Sequence, residues 1–287
     1  VMVIGTIINI ILDPILIFTF EMGISGAASA TIFSQIIVCL IFLYSFLIKK
    51  YPYITFDLKY FKFDKTILFS IFELGLPASF SMVLMSFGSG IFNKILVDFS
   101  PNIVSAYQIA SRIDNLFFMP IISIVSAMVT LVGMFYGAKK INLVYHIIHY
   151  GLKQTIVIST VVGLIFYFYS IHIFPVFTNS KDIINYGVEY MKIAVFSYPF
   201  IAIGMTSSRV MQGLGYGMPM LFLTMMRVIL ISVPLSLYFI HINDKPHIYV
   251  WYSMLIASFI TSLIAYPWMR MNLLKRLNEF ETKSIIK

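Results

Sequence analysis

Asp13 is an ionisable residue inside an apolar run, four residues after Asn9 and directly before Pro14. Side chains four apart share one helix face, so the carboxylate and the amide are expected side by side. Because Pro14 has no backbone N–H, it leaves the carbonyl of residue 10 without its helical donor. Thr31 adds a hydroxyl from the next apolar run. These oxygens predict a site for H⁺ or Na⁺. The alternative is that Asp13 and Asn9 only bridge neighbouring helices.

Three further charged residues inside apolar runs are candidates for lining a cavity. Arg112 and Asp114 are two apart, so on a helix they face different directions and do not pair with each other. Each either lines a polar cavity or pairs with a neighbouring helix. Arg227 lies roughly 13 Å from the end of its run at 1.5 Å per residue. Ionisable groups inside a bilayer cost about 2.5–3.5 kcal/mol, so all three are candidate cavity residues.

The composition explains why these residues stand out. The chain has 287 residues, of which 60% are hydrophobic and 11% charged, against about 25% charged in a soluble domain. This excludes an ordinary soluble enzyme and a nucleic-acid binder, and it makes lipid the main solvent. A single cysteine excludes a disulfide framework and a Cys-based zinc site. The chain has neither a hydrolase signature nor a phosphate-binding loop, so we expect no catalytic residues and no cofactor.

A span needs roughly 20 apolar residues to cross a bilayer. On that measure the sequence predicts an all-α, polytopic transmembrane bundle with eight spans: 1–20, 24–48, 74–98, 102–136, 146–170, 183–212, 218–240 and 247–269. Fourteen Lys and Arg residues fall at one set of span ends and only three (Lys94, Lys181 and Lys245) at the other. This asymmetry predicts a protein of the plasma or inner membrane with both ends in the cytoplasm.

The runs are grouped unevenly. Residues 1–48 form a hairpin, 49–73 a charged and aromatic cytoplasmic connector, 74–269 a block of six spans and 270–287 a cytoplasmic tail. Residue 1 is already part of an apolar run, so we expect a fragment that begins at or inside a span. Transporters are often built from two repeated halves, and a hairpin before six spans fits the end of a first half followed by a second.

Several segments resemble the multidrug and toxic compound extrusion (MATE) family. The hairpin NIILDPILIFTFEMGISGAASATIFSQ (9–35) is similar to its fifth and sixth helices, and ELGLPASF (73–80) to the start of the seventh. VSAYQIASRIDNLFFMPI (104–121) resembles the eighth helix and GMFYGAKK (133–140) the turn after it. MQGLGYGMP with LTMMR (211–227) resembles the tenth and eleventh. The match covers nearly the whole chain in order.

The resemblance implies twelve helices in two six-helix lobes, of which eight are seen here. It also implies export of cationic compounds in exchange for H⁺ or Na⁺. In the DinF-like branch the coupling Asn and Asp fall on Asn9 and Asp13, and the sixth-helix Thr on Thr31; the first-helix Asp of that site is not in this chain. The NorM-like branch carries second-lobe acids where this chain has Met85 and Ile201, which argues against a second-lobe cation site.

The favoured hypothesis is therefore a secondary antiporter that alternates access between two lobes. Its expected partners are small cationic or amphipathic compounds and membrane lipids, with no nucleic acid and no obligate protein partner. A flippase for lipid-linked oligosaccharides is the alternative within the same broader fold, and it predicts a more cationic cavity. A third hypothesis is an inactive fragment. An intramembrane enzyme is disfavoured because the sequence contains no recognisable set of catalytic residues.

Overall fold

The computed structural model describes residues 1–47 and 63–285 and divides into two units, Val1–Asp64 and Lys65–Lys287. Throughout the described residues every regular element is a helix, and eight helices are long and apolar enough to cross a membrane. We number them α1 (Met2–Thr19), α2 (Gly23–Leu47), α3 (Lys65–Val97), α4 (Pro101–Gly137), α5 (Ile141–Val176), α6 (Lys181–Gly213), α7 (Met218–Ile242) and α8 (Ile248–Ile285). The predicted all-α bundle with eight spans is confirmed.

The helix ends differ from the predicted span ends. Helix α3 begins at Lys65, inside the predicted connector 49–73, and residues 48–62 lie outside the described residues. Helix α8 continues through most of the predicted tail 270–287, as far as Ile285. Hydropathy registers only the part of a helix in hydrocarbon, whereas backbone hydrogen bonds continue into the aqueous layer wherever the residues favour a helix.

The first unit is a hairpin of α1 and α2 packed through small residues. Among the buried residues are Gly5, Gly26, Ala30 and Ser34, and a Cβ at Gly26 would lie 2.7 Å from the backbone oxygen of Leu16. Glycine therefore permits the two backbones to approach closely, as in other membrane helix pairs. After Pro14 the helix widens into a π segment, Ile15–Thr19, closed by the Phe20 N–H donating to the Ile15 carbonyl at 3.0 Å.

The second unit contains helices α3 to α8 around two apolar clusters. One cluster includes Phe92, Tyr107, Tyr190 and Trp251, and the other includes Met128, Val132, Val210 and Met269. Helix α4 contributes to both. Short polar contacts also join the helices, because Thr155 and Thr206 share a hydrogen bond of 3.0 Å and the Gln108 amide donates to Asn93 at 2.9 Å. Such contacts hold membrane helices where apolar burial adds little.

Helix α7 changes its winding along its length. It starts as an α-helix, becomes a π-helix over Met226–Ser232, returns to an α-helix and ends in a second π segment, Tyr238–Ile242. Pro234 follows the first π segment and cannot donate a backbone hydrogen bond into it. A Cβ at Gly88 of α3 would overlap Val228, so α3 packs closely against α7 at the π turn. Such π turns occur frequently at functional sites.

Candidate functional site

The carboxylate predicted from the sequence meets its amide neighbour in α1. The Asn9 Nδ2 group donates to Asp13 Oδ1 at 3.3 Å, and both side chains are half-buried. The pair forms because four residues return the α-helix to nearly the same face. The two residues thus form a carboxylate–amide pair on an otherwise apolar helix.

Thr31 is not joined to that pair by any hydrogen bond in the described part of the chain. Its hydroxyl donates to the Ala27 carbonyl on its own helix at 3.0 Å, and the side chain is exposed. A hydroxyl that donates keeps its acceptor lone pairs, so Thr31 retains an oxygen for a cation. The described residues contain no group of three or more His, Cys, Asp or Glu side chains that could hold a metal. The assignment of Asn9, Asp13 and Thr31 to ion coupling stays a prediction.

A cavity of about 290 Å³, mainly apolar but with charged and hydroxyl side chains in its wall, lies inside the second unit. Its wall is formed by α3, α4, α6, α7 and α8, and both Asp114 and Arg227 belong to it. Arg112 does not, because it lies on another face of α4 and is exposed. Of the three charged residues singled out in the sequence, the fold therefore brings two to one cavity.

Two tyrosines of α6 hold the Asp114 carboxylate. The Tyr190 hydroxyl donates to Oδ2 at 2.8 Å, and the Tyr198 hydroxyl donates to Oδ1 at 2.5 Å. Hydrogen bonds to an ionised acceptor are shorter and roughly twice as strong as those between neutral groups. The two bonds use one acceptor position on each oxygen, so Asp114 keeps lone pairs for another donor.

Aromatic rings cover the cavity wall beside Asp114. Tyr107 stacks on Trp251 with 5.6 Å between ring centroids, and Tyr190 meets Trp251 edge-to-face at 4.9 Å. Trp251 is 2% exposed. Its Nε1–H and the hydroxyl of Ser232, another residue of the wall, are buried and have no hydrogen-bond partner among the described residues. A buried polar group without a partner costs free energy, so both atoms make the packing of this wall less favourable.

Arg227 occupies the same cavity on the π segment of α7. No ion pair or hydrogen bond to its guanidinium occurs within the described residues, and none joins it to Asp114. A smaller cavity of about 100 Å³ shares Met85, Ile201, Arg227 and Ser258 with the larger one and also includes Arg209. Arg227 therefore lies where the two cavities adjoin.

Met85 and Ile201 line both cavities. These are the positions that the resemblance matched to second-lobe acids, and their apolar side chains were the reason to expect no cation site in this lobe. The structure shows that a carboxylate reaches the larger cavity from a different helix, through Asp114. The sequence did not identify Tyr190 and Tyr198 as partners of Asp114, because they lie 76 and 84 residues away along the chain.

The chain belongs to the MatE family, whose family model matches residues 77–238. This confirms the MATE resemblance, and members of that family are transporters rather than enzymes, as the sequence predicted. With its eight apolar helices, the chain is a multi-pass membrane protein.

Two curated relatives carry multidrug names. The chain is 25% identical over 274 residues to the probable multidrug resistance protein YoeA of Bacillus subtilis, covering 93% of this chain and 59% of YoeA. It is 28% identical over 216 residues to the multidrug export protein MepA of Staphylococcus saprophyticus, covering 75% of this chain and 48% of MepA. The chain thus spans about half to three-fifths of the length of these relatives.

Solved structures share the fold. An outward-facing multidrug resistance MATE transporter of the MOP superfamily superposes with a TM-score of 0.92 and 27% identity, over 96% of this chain and 62% of that one. A MOP superfamily transporter from Pyrococcus furiosus gives a TM-score of 0.91 at 27% identity, with the same coverage of 96% and 62%.

Proposed function

We propose that this chain works in secondary active export of cationic or amphipathic compounds, driven by antiport of H⁺ or Na⁺. The observation that carries the proposal is the Asn9–Asp13 pair, a carboxylate hydrogen-bonded to an amide on an apolar helix. Ionisable residues inside membrane helices mark ion and proton pathways. The multidrug names of YoeA and MepA support an export function for the protein that contains this chain.

In this mechanism Asp13 exchanges its bound cation between two states of the transporter. A ligand shifts a conformational equilibrium only by its difference in affinity for the two states. Asp13 must therefore bind its H⁺ or Na⁺ more tightly in one state, with Asn9 and Thr31 as neighbouring oxygen ligands. The two lobes then alternate access to the substrate between the two sides of the membrane.

The distribution of basic residues supports an orientation with both ends of this chain in the cytoplasm, in the plasma or inner membrane. The basic ends include Lys49, Lys50, Lys139 and Lys140. Anionic headgroups of the cytoplasmic leaflet attract such clusters, which makes lipid a partner of this face.

The flippase alternative receives less support from the cavity of the second unit. Recognition of a lipid-linked pyrophosphate calls for several cationic groups together. The larger cavity instead combines one carboxylate, Asp114, with one guanidinium, Arg227. One negative and one positive charge in the cavity favour a ligand with less negative charge than a pyrophosphate.

Replacement of Asp13 tests the antiport mechanism. In the protein expressed in its complete natural reading frame, Asp13→Asn should reduce ethidium efflux to the level of cells without the protein. The amide keeps the size and polarity of the side chain but cannot bind and release a proton or neutralise Na⁺. Efflux is measured by ethidium fluorescence in energised cells, with membrane levels compared by immunoblot.

Asp98→Asn is the matched control, because Asp98 is an exposed carboxylate in the turn between α3 and α4. It should retain normal efflux. If Asp13→Asn shows wild-type efflux, Asp13 does not couple the cation to transport, and the proposed mechanism is wrong. Parallel assays with an imposed pH gradient or an imposed Na⁺ gradient identify the coupling ion.

A further inference from the structure

We propose that the cavity of the second unit that contains both Asp114 and Arg227 binds a small zwitterionic compound, with a protonated amine at Asp114 and an acidic group at Arg227. This rests on the proposed export function for its biological meaning, and it adds a chemical class of substrate to it. The inference depends on two opposite charges that share one cavity without forming an ion pair.

The carboxylate end of the cavity suits an ammonium group. Tyr190 and Tyr198 fix the two Asp114 oxygens in place by hydrogen bonds of 2.8 and 2.5 Å. The remaining acceptor positions are available to a donor within the cavity. The rings of Tyr107, Tyr190 and Trp251 lie on the same wall, and aromatic faces attract organic cations.

The guanidinium end suits an anion. A charge removed from bulk water is costly unless it is paired, and Arg227 has no hydrogen bond or ion pair among the described residues. A carboxylate on a ligand would satisfy it with two parallel hydrogen bonds.

The size of the cavity limits the ligand to a compact one. Its volume of about 290 Å³ is nearly twice that of a ~150 Å³ cavity that holds one benzene molecule. A volume of this size accommodates a single ring with two small substituents. A purely cationic or purely anionic compound leaves one of the two protein charges without a partner.

Three small compounds test the proposal by removing one charge at a time. The zwitterion is para-aminomethylbenzoic acid, its methyl ester is only cationic and its N-acetyl derivative is only anionic. Binding to the purified full-length protein in detergent is measured by calorimetry, without any ion gradient. The zwitterion should bind at least roughly ten-fold more tightly than either derivative, since each hydrogen-bonded charge contributes more than a factor of ten. Equal affinity for the three compounds would overturn the proposal.

Substitutions then assign each charge to its end. Asp114→Asn should abolish the preference for the zwitterion over the N-acetyl compound and keep the preference over the ester. Arg227→Gln should do the reverse, and Arg227→Lys should restore part of the preference over the ester. Arg112→Gln is the matched control, since this exposed arginine lies off the cavity wall, and it should leave all three affinities unchanged.

A uniform loss for all three compounds in Asp114→Asn and Arg227→Gln would show a structural effect and would overturn the assignment. Because the assay needs no transport, its result is independent of the Asp13 experiment. If the protein binds the zwitterion preferentially but shows no antiport, only the proposed function is contradicted. If it shows antiport but no preference for the zwitterion, only this inference is contradicted.

Discussion

At the scale of single residues, the two acidic sites of this chain differ in how they are built. Asp13 finds Asn9 on the same helix, one turn away, whereas Asp114 depends on two tyrosines of α6. The first contact follows from helical spacing alone. The second exists only after α4 and α6 pack, so the position of Asp114 in the lobe depends on tertiary structure.

Tyr198→Phe tests the contribution of the Tyr198 hydrogen bond to Asp114. Removal of the hydroxyl takes away one of two hydrogen bonds to a half-buried carboxylate, and hydrogen bonds to charged groups contribute about 1.5–3 kcal/mol. The free energy of unfolding in a detergent titration should fall by a similar amount. Tyr238→Phe is the control, since Tyr238 is 47% exposed and should tolerate the same change. An equal effect of both variants would contradict the special role of Tyr198.

The sequence could predict only part of these sites. The Asn9–Asp13 contact was predictable because it is local, and so was the presence of ionisable residues in apolar runs. Tyr190 and Tyr198 were not, because aromatic residues are common in this chain and nothing in their spacing points to a carboxylate in another helix. For Arg112 and Asp114, helical spacing predicted different faces, and packing then determined which face meets the cavity.

At the scale of helices, hydropathy predicted the number and order of the spans but not their ends. Helices α3 and α8 extend beyond the predicted spans, into segments whose charged residues weaken the hydropathy signal. The π segments of α1 and α7 were equally invisible, because the composition of a π turn resembles that of an α turn. The sequence shows where the glycines are, but it does not predict which helix packs against each of them.

Gly26→Ala tests the close approach within the hairpin. The new Cβ would lie 2.7 Å from the Leu16 oxygen and 2.8 Å from its carbonyl carbon, so the two backbones must separate. We expect a lower midpoint of thermal unfolding and reduced ethidium efflux. Gly90→Ala is the control, because a Cβ there meets nothing within 4 Å and alanine favours a helix. Unchanged stability in Gly26→Ala would show that the hairpin tolerates a wider separation.

At the scale of the molecule, the division into two units separates the two acidic sites. Asp13 lies in the unit Val1–Asp64, and the Asp114 cavity lies in the unit Lys65–Lys287. Every residue on the wall of that cavity comes from the second unit. The residues proposed for ion coupling and those proposed for ligand binding therefore belong to different units.

This predicts that the second unit expressed alone, residues 65–287, inserts into membranes and retains its cavity. Its six helices pack around their own two apolar clusters. The expected result is a monodisperse protein with a cooperative unfolding transition in detergent. A shorter piece with residues 65–176 is the control, because it lacks α6 to α8 and should aggregate. Aggregation of both pieces would show that the second unit needs the hairpin to fold.

The π winding of α7 has a consequence for how this wall could change over evolution. In a π turn the hydrogen bond runs from one residue to the fifth along, so Arg227 and Ser232 lie one above the other on the same cavity. Deletion of one residue between them would return the segment to α-helical phase, at about 100° per residue. Arg227 and Ser232 would then be four residues apart in an α-helix, where side chains still share one face. The π segment is therefore a place where the chain could lose one residue while both side chains stay on the cavity wall.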